Sequence, residues 1–380
     1  MRVYLDNAAT TPIRPEVVDA MIPYMREFYG NPSSIHADGR KVRAAIEEAR
    51  KIVAQCIGAS IGEIFFTSGG TESNNMALKC SVRDLGVQRI ISSPTEHHCV
   101  LHTLECIEKE FGTEILLMDV DRQGRIDPAQ LADRLATSGE KTLVSLMHAN
   151  NEIGTMIDLH EIAGICQTHG ALFHSDTVQT VGHFPLDVGD IPIDFLSGAA
   201  HKLHGPKGVG FIYINGDNKI NPLIDGGSQE RNMRGGTENV YGIVGLARAL
   251  QMMVDDLEHE ENHIRDLRDR FMHRLKETFP DVEFNGDPEG NALYTVLSVS
   301  FPRSDRSDML LLSLDIAGVS ASGGSACTSG AEAGSHVLQA IQADPTRKTI
   351  RFSFSRFNTA EEIDYVVEQL KSIVPAPASV

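Results

Sequence analysis

The feature that most constrains this chain is a regular alternation of short apolar runs with helical patterns between about residues 60 and 215. Seven runs have the composition of β-strands: 64–68, 89–93, 114–120, 143–148, 172–175, 194–197 and 208–214. Helical patterns lie between most of them, at 71–84, 100–110, 128–136 and 159–169. Several runs are apolar throughout, which is typical of strands covered on both faces. The alternation predicts an α/β fold with a mostly parallel seven-stranded sheet flanked by helices.

The rest of the chain predicts a second, smaller α/β unit. Residues 239–279 contain no proline, and their apolar positions recur at helical spacing, which indicates one long helix or two in line. Strands at 294–301 and 349–355, helices at 308–317 and 359–373, and a Gly/Ser-rich loop at 320–334 follow. A chain of 380 residues is long enough for two domains. We predict a large domain of residues 15–255 and a small domain of residues 1–14 and 256–380.

Composition restricts the partners and the compartment. The formal net charge is −18, so a direct contact with nucleic acid or an anionic membrane surface is not expected. No apolar run reaches the roughly 18–20 residues that span a bilayer, and the first residues lack the apolar core of a signal peptide. The six cysteines are scattered, with no CxxC pair. These features favour a cytoplasmic protein with reduced thiols.

Polar and ionisable side chains follow five of the predicted strands. They are the turn 68–73, Glu96 with His97 and His98, residues 150–152, Asp176 with Gln179, and His201 with Lys202. In an open α/β sheet, ligands bind beyond the carboxyl ends of the strands. Five such groups at one rim therefore predict a ligand site, whereas each group alone fits an ordinary solvated loop.

Three of these groups have a specific chemical interpretation and an ordinary alternative. The glycine-rich turn 68–73 opens a helix and fits a phosphate, although it lacks the Walker lysine and the GxGxxG spacing, and a tight turn explains it equally. Lys202 is either a Schiff-base lysine activated by desolvation or a surface lysine. Asp176, at the end of an apolar strand, either pairs with a protonated pyridine nitrogen or caps the next turn.

Two residues of the predicted small domain are further candidates. Cys327 lies in a polar Gly/Ser-rich loop and is a candidate nucleophile, or an incidental loop cysteine. The other five cysteines lie in helical patterns, where buried, inert thiols are usual. Arg351, inside an apolar strand, needs an anion, which is either a substrate carboxylate or a structural salt-bridge partner.

Histidines near residue 100 allow two interpretations. His97 is placed to stack on a flat cofactor or to transfer protons. A rival interpretation uses Glu96, His98 and His102: the two histidines are four residues apart on a helical pattern and would share a metal in a zinc hydrolase, or they are ordinary helix-surface residues. No HExxH motif is present and the sequence offers no identifiable third ligand, so we expect no metal.

Taken together, these motifs resemble the NifS/IscS-type cysteine desulfurases, in the class V aminotransferase group of the fold-type I enzymes that use pyridoxal 5′-phosphate (PLP). The similarity covers residues 4–12, 30–34, 66–74, 95–97, 147–154, 174–176, 201–208, 234–237, the Cys327 loop and 350–353. Each motif alone is modest support, but the ordered set runs nearly end to end and is highly specific.

The resemblance implies a fold-type I architecture and a cysteine desulfurase (EC 2.8.1.7) that converts L-cysteine to L-alanine. It implies that Lys202 binds PLP covalently and moves protons, that Asp176 pairs with the pyridinium, and that His97 stacks on the ring as an acid or base. It also implies cofactor contacts from Gly70, Thr71, Asn151, Gln179 and His201, a phosphate contact from Thr237 of a second subunit in a homodimer, and substrate binding by Asn31, Asn151 and Arg351.

The same resemblance implies that Cys327 accepts the sulfur as a persulfide, on a glycine-rich loop at about 320–335 that must move to deliver it. The acceptor would be a protein such as an iron–sulfur cluster scaffold, and thionucleoside or DNA phosphorothioation pathways remain open. Two departures affect these expectations. Ala199 replaces a serine that the family commonly uses to bind phosphate, so either the PLP affinity is lower or Ser68 or Ser197 compensates. Residues 331–336 depart from the usual Leu-Glu-Pro-Ser pattern, which leaves the choice of acceptor open.

Two further alternatives stay open from the sequence. One is a related PLP lyase such as a selenocysteine lyase, although the long loop with Cys327 favours the desulfurase. The other is a non-catalytic sulfur-relay protein that keeps the fold, against which the presence of Lys202, Asp176, His97 and Cys327 counts.

Overall fold

The computed structural model of this protein describes residues 1–303, 307–323 and 334–374, so Cys327 lies outside the described residues. The first half contains β1 (Val3–Tyr4), α1 (Pro15–Arg26), α2 (Ala37–Cys56), β2 (Ile64–Thr67), α3 (Gly70–Leu85), β3 (Arg89–Ser92), α4 (His98–Phe111), β4 (Glu114–Leu117), α5 (Pro128–Ala136), β5 (Thr142–Ser145), α6 (Leu159–Thr168) and β6 (Leu172–Asp176). The second half contains β7 (Phe195–Ala199), β8 (Gly210–Ile214), α7 (Val240–Asp255), α8 (Leu257–Thr278), β9 (Glu283–Asn285), β10 (Val296–Phe301), α9 (Leu310–Ile316), β11 (Val319–Ser320), α10 (His336–Ala340), β12 (Lys348–Ser353) and α11 (Ala360–Ile373).

Seven strands form the central sheet, in the order β2-β8-β7-β6-β5-β3-β4. Strand β8 is antiparallel to both of its neighbours, and the other pairs are parallel. Every residue of β2, β3, β5, β7 and β8 is buried, as the continuous apolar runs predict. The predicted α/β class with a mostly parallel seven-stranded sheet is confirmed. The carboxyl ends of the parallel strands therefore point to one rim.

A second core forms around an antiparallel sheet in the order β12-β10-β9. Its buried residues come from 264–374 together with Val3 and Leu5. The first residues join this core because β1 pairs in parallel with β11, and Asp6 bridges to Ser353 of β12. The proposed domain boundaries at residues 15 and 255 stay a prediction.

Local sequence explains most element boundaries, with some differences from the predictions. The long proline-free stretch is two helices, α7 and α8, with a break at Asp256. Thr359 and Glu362 form the capping box that starts α11. Helix α1 was not predicted because it starts with Pro15 and carries Pro23 internally. In residues 1–303, 307–323 and 334–374, no helix combines the length and the apolar character that a membrane span needs.

Candidate active site

A cavity of about 290 Å³ lies at the rim where the parallel strands end. Nine of the residues that the sequence predicts for a site line this cavity: Gly70, Thr71, His97, Asn151, Asp176, Gln179, His201, Lys202 and Arg351. They come from sequence positions up to 281 residues apart (70 to 351) and meet because the strand ends and β12 face the same space. The convergence of these nine residues on one cavity is the strongest structural support for a ligand site at this rim.

Asp176 ends β6 and is buried at the cavity wall. Its Oδ2 accepts a hydrogen bond from Asn74 Nδ2 at 2.6 Å, and its Oδ1 accepts one from the backbone N–H of Val178 at 2.9 Å. Both of these donors are uncharged. A cationic group in the cavity, such as a protonated pyridine nitrogen, would supply the charge that a buried carboxylate needs.

Asn74 is itself oriented by a hydrogen bond with His174. His174 is fully buried, and burial lowers its pKa to about 3, so the ring is neutral near pH 7. Its Nε2 lies 3.2 Å from Asn74 Oδ1, while its Nδ1 lies 2.9 Å from Ser145 Oγ. Since Asn74 donates its amide to Asp176, its oxygen accepts from the Nε2–H of His174. A chain of hydrogen bonds thus fixes the direction of the Asp176 carboxylate.

Lys202 lies in a short 3-10 turn just beyond β7. Its Nζ donates hydrogen bonds to the carbonyl oxygens of Ala8 at 2.5 Å and Ala9 at 2.8 Å. Gln179 Nε2 donates to the same Ala8 carbonyl at 3.1 Å. The amine is therefore directed by the backbone of the N-terminal segment, which argues against the interpretation of Lys202 as an ordinary surface lysine.

His97 is the N-cap of α4, where its Nδ1 accepts the backbone N–H of Cys99 at 3.1 Å. The proton of the neutral ring therefore lies on Nε2. Burial lowers the pKa of His97 and nearby Lys202 lowers it further, although Asp176 acts in the opposite direction. Burial raises the pKa of the Cys99 thiol to about 12, so this cysteine stays protonated. His97 can accept or deliver a proton, whereas Cys99 is not a thiolate nucleophile.

The turn before α3 has the shape of a phosphate cradle. Gly69 has φ +153°, and a Cβ on Gly70 would lie 2.5 Å from Val178 Cγ2, so glycine is required at this close approach. The first N–H groups of the 16-residue helix α3 follow directly. His201 lines the same cavity, and burial lowers its pKa to about 4, so its imidazole is neutral. These groups fit a PLP phosphate, as Asp176 fits the ring nitrogen.

The serine substitutes expected near Ala199 are not found in this cavity. Ala199 lines it, but Ser68 and Ser197 do not. Ser68 is exposed and borders a separate cavity, and Ser197 is fully buried 3.4 Å from His174 Nε2. Of the two alternatives for Ala199, the positions of these serines favour a lower PLP affinity over replacement of the missing hydroxyl by Ser68 or Ser197.

Arg351 has a structural salt-bridge partner and also lines the cavity. It is 1% exposed in β12, and its guanidinium forms an ion pair with Asp6 at 3.0 Å. A second terminal nitrogen donates to the Asn151 carbonyl at 2.9 Å. Its Nε is buried and has no hydrogen-bond partner in the described part of the chain.

Two further polar residues lie beside these, and the sequence pointed to only one of them, Glu96. Glu96 is 1% exposed, and burial, with Asp176 nearby, raises its pKa well above the ordinary value; its Oε1 accepts a hydrogen bond from the Met147 N–H at 2.6 Å. His336 lines the cavity and its Nε2 lies 2.9 Å from the Glu96 carbonyl. Glu96 belongs to the motif at residues 95–97, whereas the sequence around His336 gave no indication that this residue would line the cavity.

Two predicted site residues do not line the cavity in this single chain. Thr237 borders the separate cavity that includes Arg234. Asn31 is exposed, and its side-chain oxygen accepts from the Ser33 N–H at 2.9 Å. The structure of one chain therefore leaves both roles untested.

The structure shows where the histidines of the metal alternative and the cysteines other than Cys327 lie. The rings of His98 and His102 are 5.4 Å apart, but no group of three His, Cys, Asp or Glu residues within the described ranges is arranged to hold a metal ion. All five described cysteines lie in helices. Cys80 and Cys166 are buried as expected, whereas Cys56 and Cys99 are half-buried and Cys106 is exposed, so for Cys106 the expectation is wrong.

Comparison with known proteins gives a consistent result. The aminotransferase class-V family matches residues 3–366. The chain is 46% identical to "Cysteine desulfurase IscS" of Dictyoglomus turgidum, over 98% of this chain and 94% of that protein, and 44% identical to the protein of the same name from Methanosarcina thermophila, over 98% and 92%.

Solved structures agree with the sequence relatives. A "NifS-like protein" superposes with a TM-score of 0.90 at 37% identity, over 98% of this chain and 99% of that chain. A structure of SspA in complex with cysteine has a TM-score of 0.81 at 31% identity, over 94% and 100%. The chain therefore belongs to the aminotransferase class-V family and, within it, to the cysteine desulfurases of the NifS/IscS type.

Proposed function

We propose that this protein is a PLP-dependent cysteine desulfurase that converts L-cysteine to L-alanine and transfers the sulfur to Cys327 as a persulfide. The observation that supports this most strongly is the convergence of Lys202, Asp176, His97 and Arg351 on one cavity. A lysine amine, a buried carboxylate, a neutral imidazole and a guanidinium are the groups that amino-acid chemistry on a pyridine cofactor needs.

The donor set accounts for how PLP would be held. Asp176 would bind the protonated ring nitrogen, and the turn of Gly70 and Thr71 with His201 would bind the phosphate. His97 would lie against the ring, with Gln179 at its edge. When bound, the cofactor supplies an electron-accepting ring that stabilises negative charge at the α-carbon of the substrate.

The chain's own residues then bind the substrate and move protons. Arg351, with Asn151 and Asn31 as the further proposed contacts, binds the α-carboxylate of L-cysteine. Lys202 Nζ removes the proton from the α-carbon, and the Ala8 and Ala9 carbonyls direct this amine. His97 exchanges a proton through Nε2, which points away from its Cys99 contact.

The sulfur step balances without an external oxidant or reductant. The Cβ–S bond of L-cysteine breaks, an S–S bond forms between the substrate sulfur and Cys327 Sγ, and the thiol hydrogens are recovered in the methyl group of alanine and the persulfide. L-cysteine and a protein thiol thus give L-alanine and a protein persulfide. A subsequent sulfur acceptor then takes the terminal sulfur, and an iron–sulfur cluster scaffold is the partner that the names of the relatives favour.

We further propose that the active unit is a homodimer. Thr237 and Asn31 do not line the cavity of their own chain, so their roles at the cofactor and substrate would be filled by a second copy. Sedimentation of the PLP-loaded protein tests this directly, and a monomer with full cofactor occupancy and full activity would exclude it.

The test of the function is alanine release from L-cysteine in the presence of a thiol reductant. Wild type should release alanine, and Cys327→Ala should lose this release while keeping the visible absorption of bound PLP. Cys106→Ala is the matched control, since this exposed cysteine on α4 should be dispensable.

The other results each identify an alternative. Alanine from both wild type and Cys327→Ala would assign the sulfur-accepting role elsewhere. Faster alanine release from L-selenocysteine than from L-cysteine, independent of Cys327, would indicate a selenocysteine lyase. A protein that binds PLP and releases no alanine from either substrate would contradict the proposed activity.

A further inference from the structure

Asp6 is placed to control how the site holds its substrate, although it carries no role in the proposed reaction. It lies in the N-terminal segment just after β1, with a side chain that is 20% exposed. One oxygen, Oδ1, accepts both from the Arg351 guanidinium at 3.0 Å and from Ser322 Oγ at 2.7 Å. Arg351, which would bind the substrate carboxylate, is therefore already paired with a carboxylate of the protein itself.

Arg351 remains in position without this ion pair. Its side chain is 2% exposed, its backbone is held on both sides by Ser298 of β10 and by Ser322, and its guanidinium also donates to the Asn151 carbonyl. Packing and these bonds determine where the guanidinium lies. The contribution of Asp6 is therefore mainly its negative charge.

That charge opposes the binding of a second carboxylate. Arg351 lines the cavity, and Asp6 already neutralises its guanidinium. A substrate carboxylate bound there would share one guanidinium charge with Asp6. The two anions would lie well inside the roughly 8 Å over which salt screens charges at physiological ionic strength.

We propose that Asp6 is a positioning residue that acts through Arg351 as a built-in counter-ion, weakening the hold of the site on the α-carboxylate of the substrate. It keeps the buried guanidinium neutralised before substrate arrives, and so stabilises the substrate-free protein at the expense of affinity. This inference rests on the proposed function, in which Arg351 binds the carboxylate of L-cysteine.

Asp6→Asn removes the charge and keeps an oxygen for Arg351 and Ser322. We expect the KM for L-cysteine to fall about tenfold, with kcat within about twofold of wild type. L-cysteine methyl ester, which lacks the carboxylate charge, should show no such change in KM. Asp256→Asn is the matched control, because Asp256 is paired with Arg356 at 3.0 Å outside this cavity. It should leave the KM values for both substrates unchanged.

A binding measurement that needs no turnover completes the test. The unfolding temperature of the PLP-loaded protein is measured with and without L-serine, which has the carboxylate and amine of cysteine but no sulfur. Asp6→Asn should lower this temperature without ligand and increase the rise that L-serine causes. The rise caused by L-serine methyl ester should not change.

An unchanged or higher KM for L-cysteine in Asp6→Asn, or equal changes for acid and ester, would overturn the proposal. If Asp6→Asn does not fold, Asp6→Ser removes the same charge and carries the same expectations. If wild type releases no alanine, the proposed function fails, and the L-serine measurements on the two proteins still decide whether Asp6 opposes carboxylate binding.

Discussion

Mild acid should destabilise this protein through histidines that the fold keeps neutral, and His174 gives the clearest test. It is fully buried in β6, and burial lowers its pKa from 6.5 to about 3. The folded protein therefore leaves it unprotonated down to about pH 3, whereas the unfolded chain takes up a proton below pH 6.5. Stability is lost as the pH falls below 6.5, because the unfolded state then binds more protons than the folded state.

The size of the effect follows from the pKa difference. One pKa unit corresponds to about 1.4 kcal/mol, so at pH 5 His174 opposes folding by about 2 kcal/mol. Burial also lowers the pKa of His148 and His183 to about 4 and that of His204 to about 3. The four together oppose folding by about 8 kcal/mol at pH 5, which is comparable to the roughly 5–15 kcal/mol that stabilises a typical native protein.

His174→Gln separates this effect from the lost hydrogen bonds. The free energy of unfolding is measured in urea at pH 7 and pH 5 for wild type and the variant. The variant should be less stable at pH 7, and its deficit should shrink by about 2 kcal/mol at pH 5. The exposed His160 on α6 gives the control His160→Gln, whose deficit should not depend on pH in this way. A deficit for His174→Gln that is equal at both pH values would refute the reasoning.

Two further outcomes are expected from buried contacts. Arg50→Gln should lower the free energy of unfolding, measured in urea, by about 3–5 kcal/mol, because the buried Glu230 carboxylate, 2.6 Å from Arg50, loses its cation. A loss below about 1 kcal/mol, which is typical of exposed ion pairs, would contradict this. Gly70→Ala should lower the visible absorption of bound PLP, because its Cβ would meet Val178 Cγ2 at 2.5 Å, while Gly62→Ala, with open space around it, should bind PLP normally.

The central sheet was predictable because five of its strands, β2, β3, β5, β7 and β8, are buried along their whole length, so continuous apolar runs mark them. Elements whose formation depends on distant partners were not predictable in this way. Strands β1 and β11 are two residues each and exist because they pair with one another across more than 300 residues of sequence. Local composition carries no information about such a pairing.

The site residues divide in the same way, into those that the local sequence marks and those whose placement depends on distant partners. Lys202, Asp176 and Arg351 were identifiable because a charged side chain beside an apolar strand requires a partner. The direction of the Lys202 side chain could not be predicted, because it depends on the backbone carbonyls of Ala8 and Ala9. Every residue has a carbonyl, so the sequence does not mark these two. The partner of Arg351 was equally hidden, since Asp6 is separated from it by 345 residues.

The N-terminal segment has a consequence for the order in which the site is assembled during synthesis. Residues 3–7 are synthesised more than 300 residues before Gly318, Ser320 and Ser353, whose oxygens hold them in the folded protein. At roughly 5–20 residues per second, this delay is tens of seconds. The central sheet can form in that interval, whereas the carbonyls that direct Lys202 can take their places only after β12 has been synthesised. The cavity is therefore completed late, by a segment that was synthesised before the central sheet.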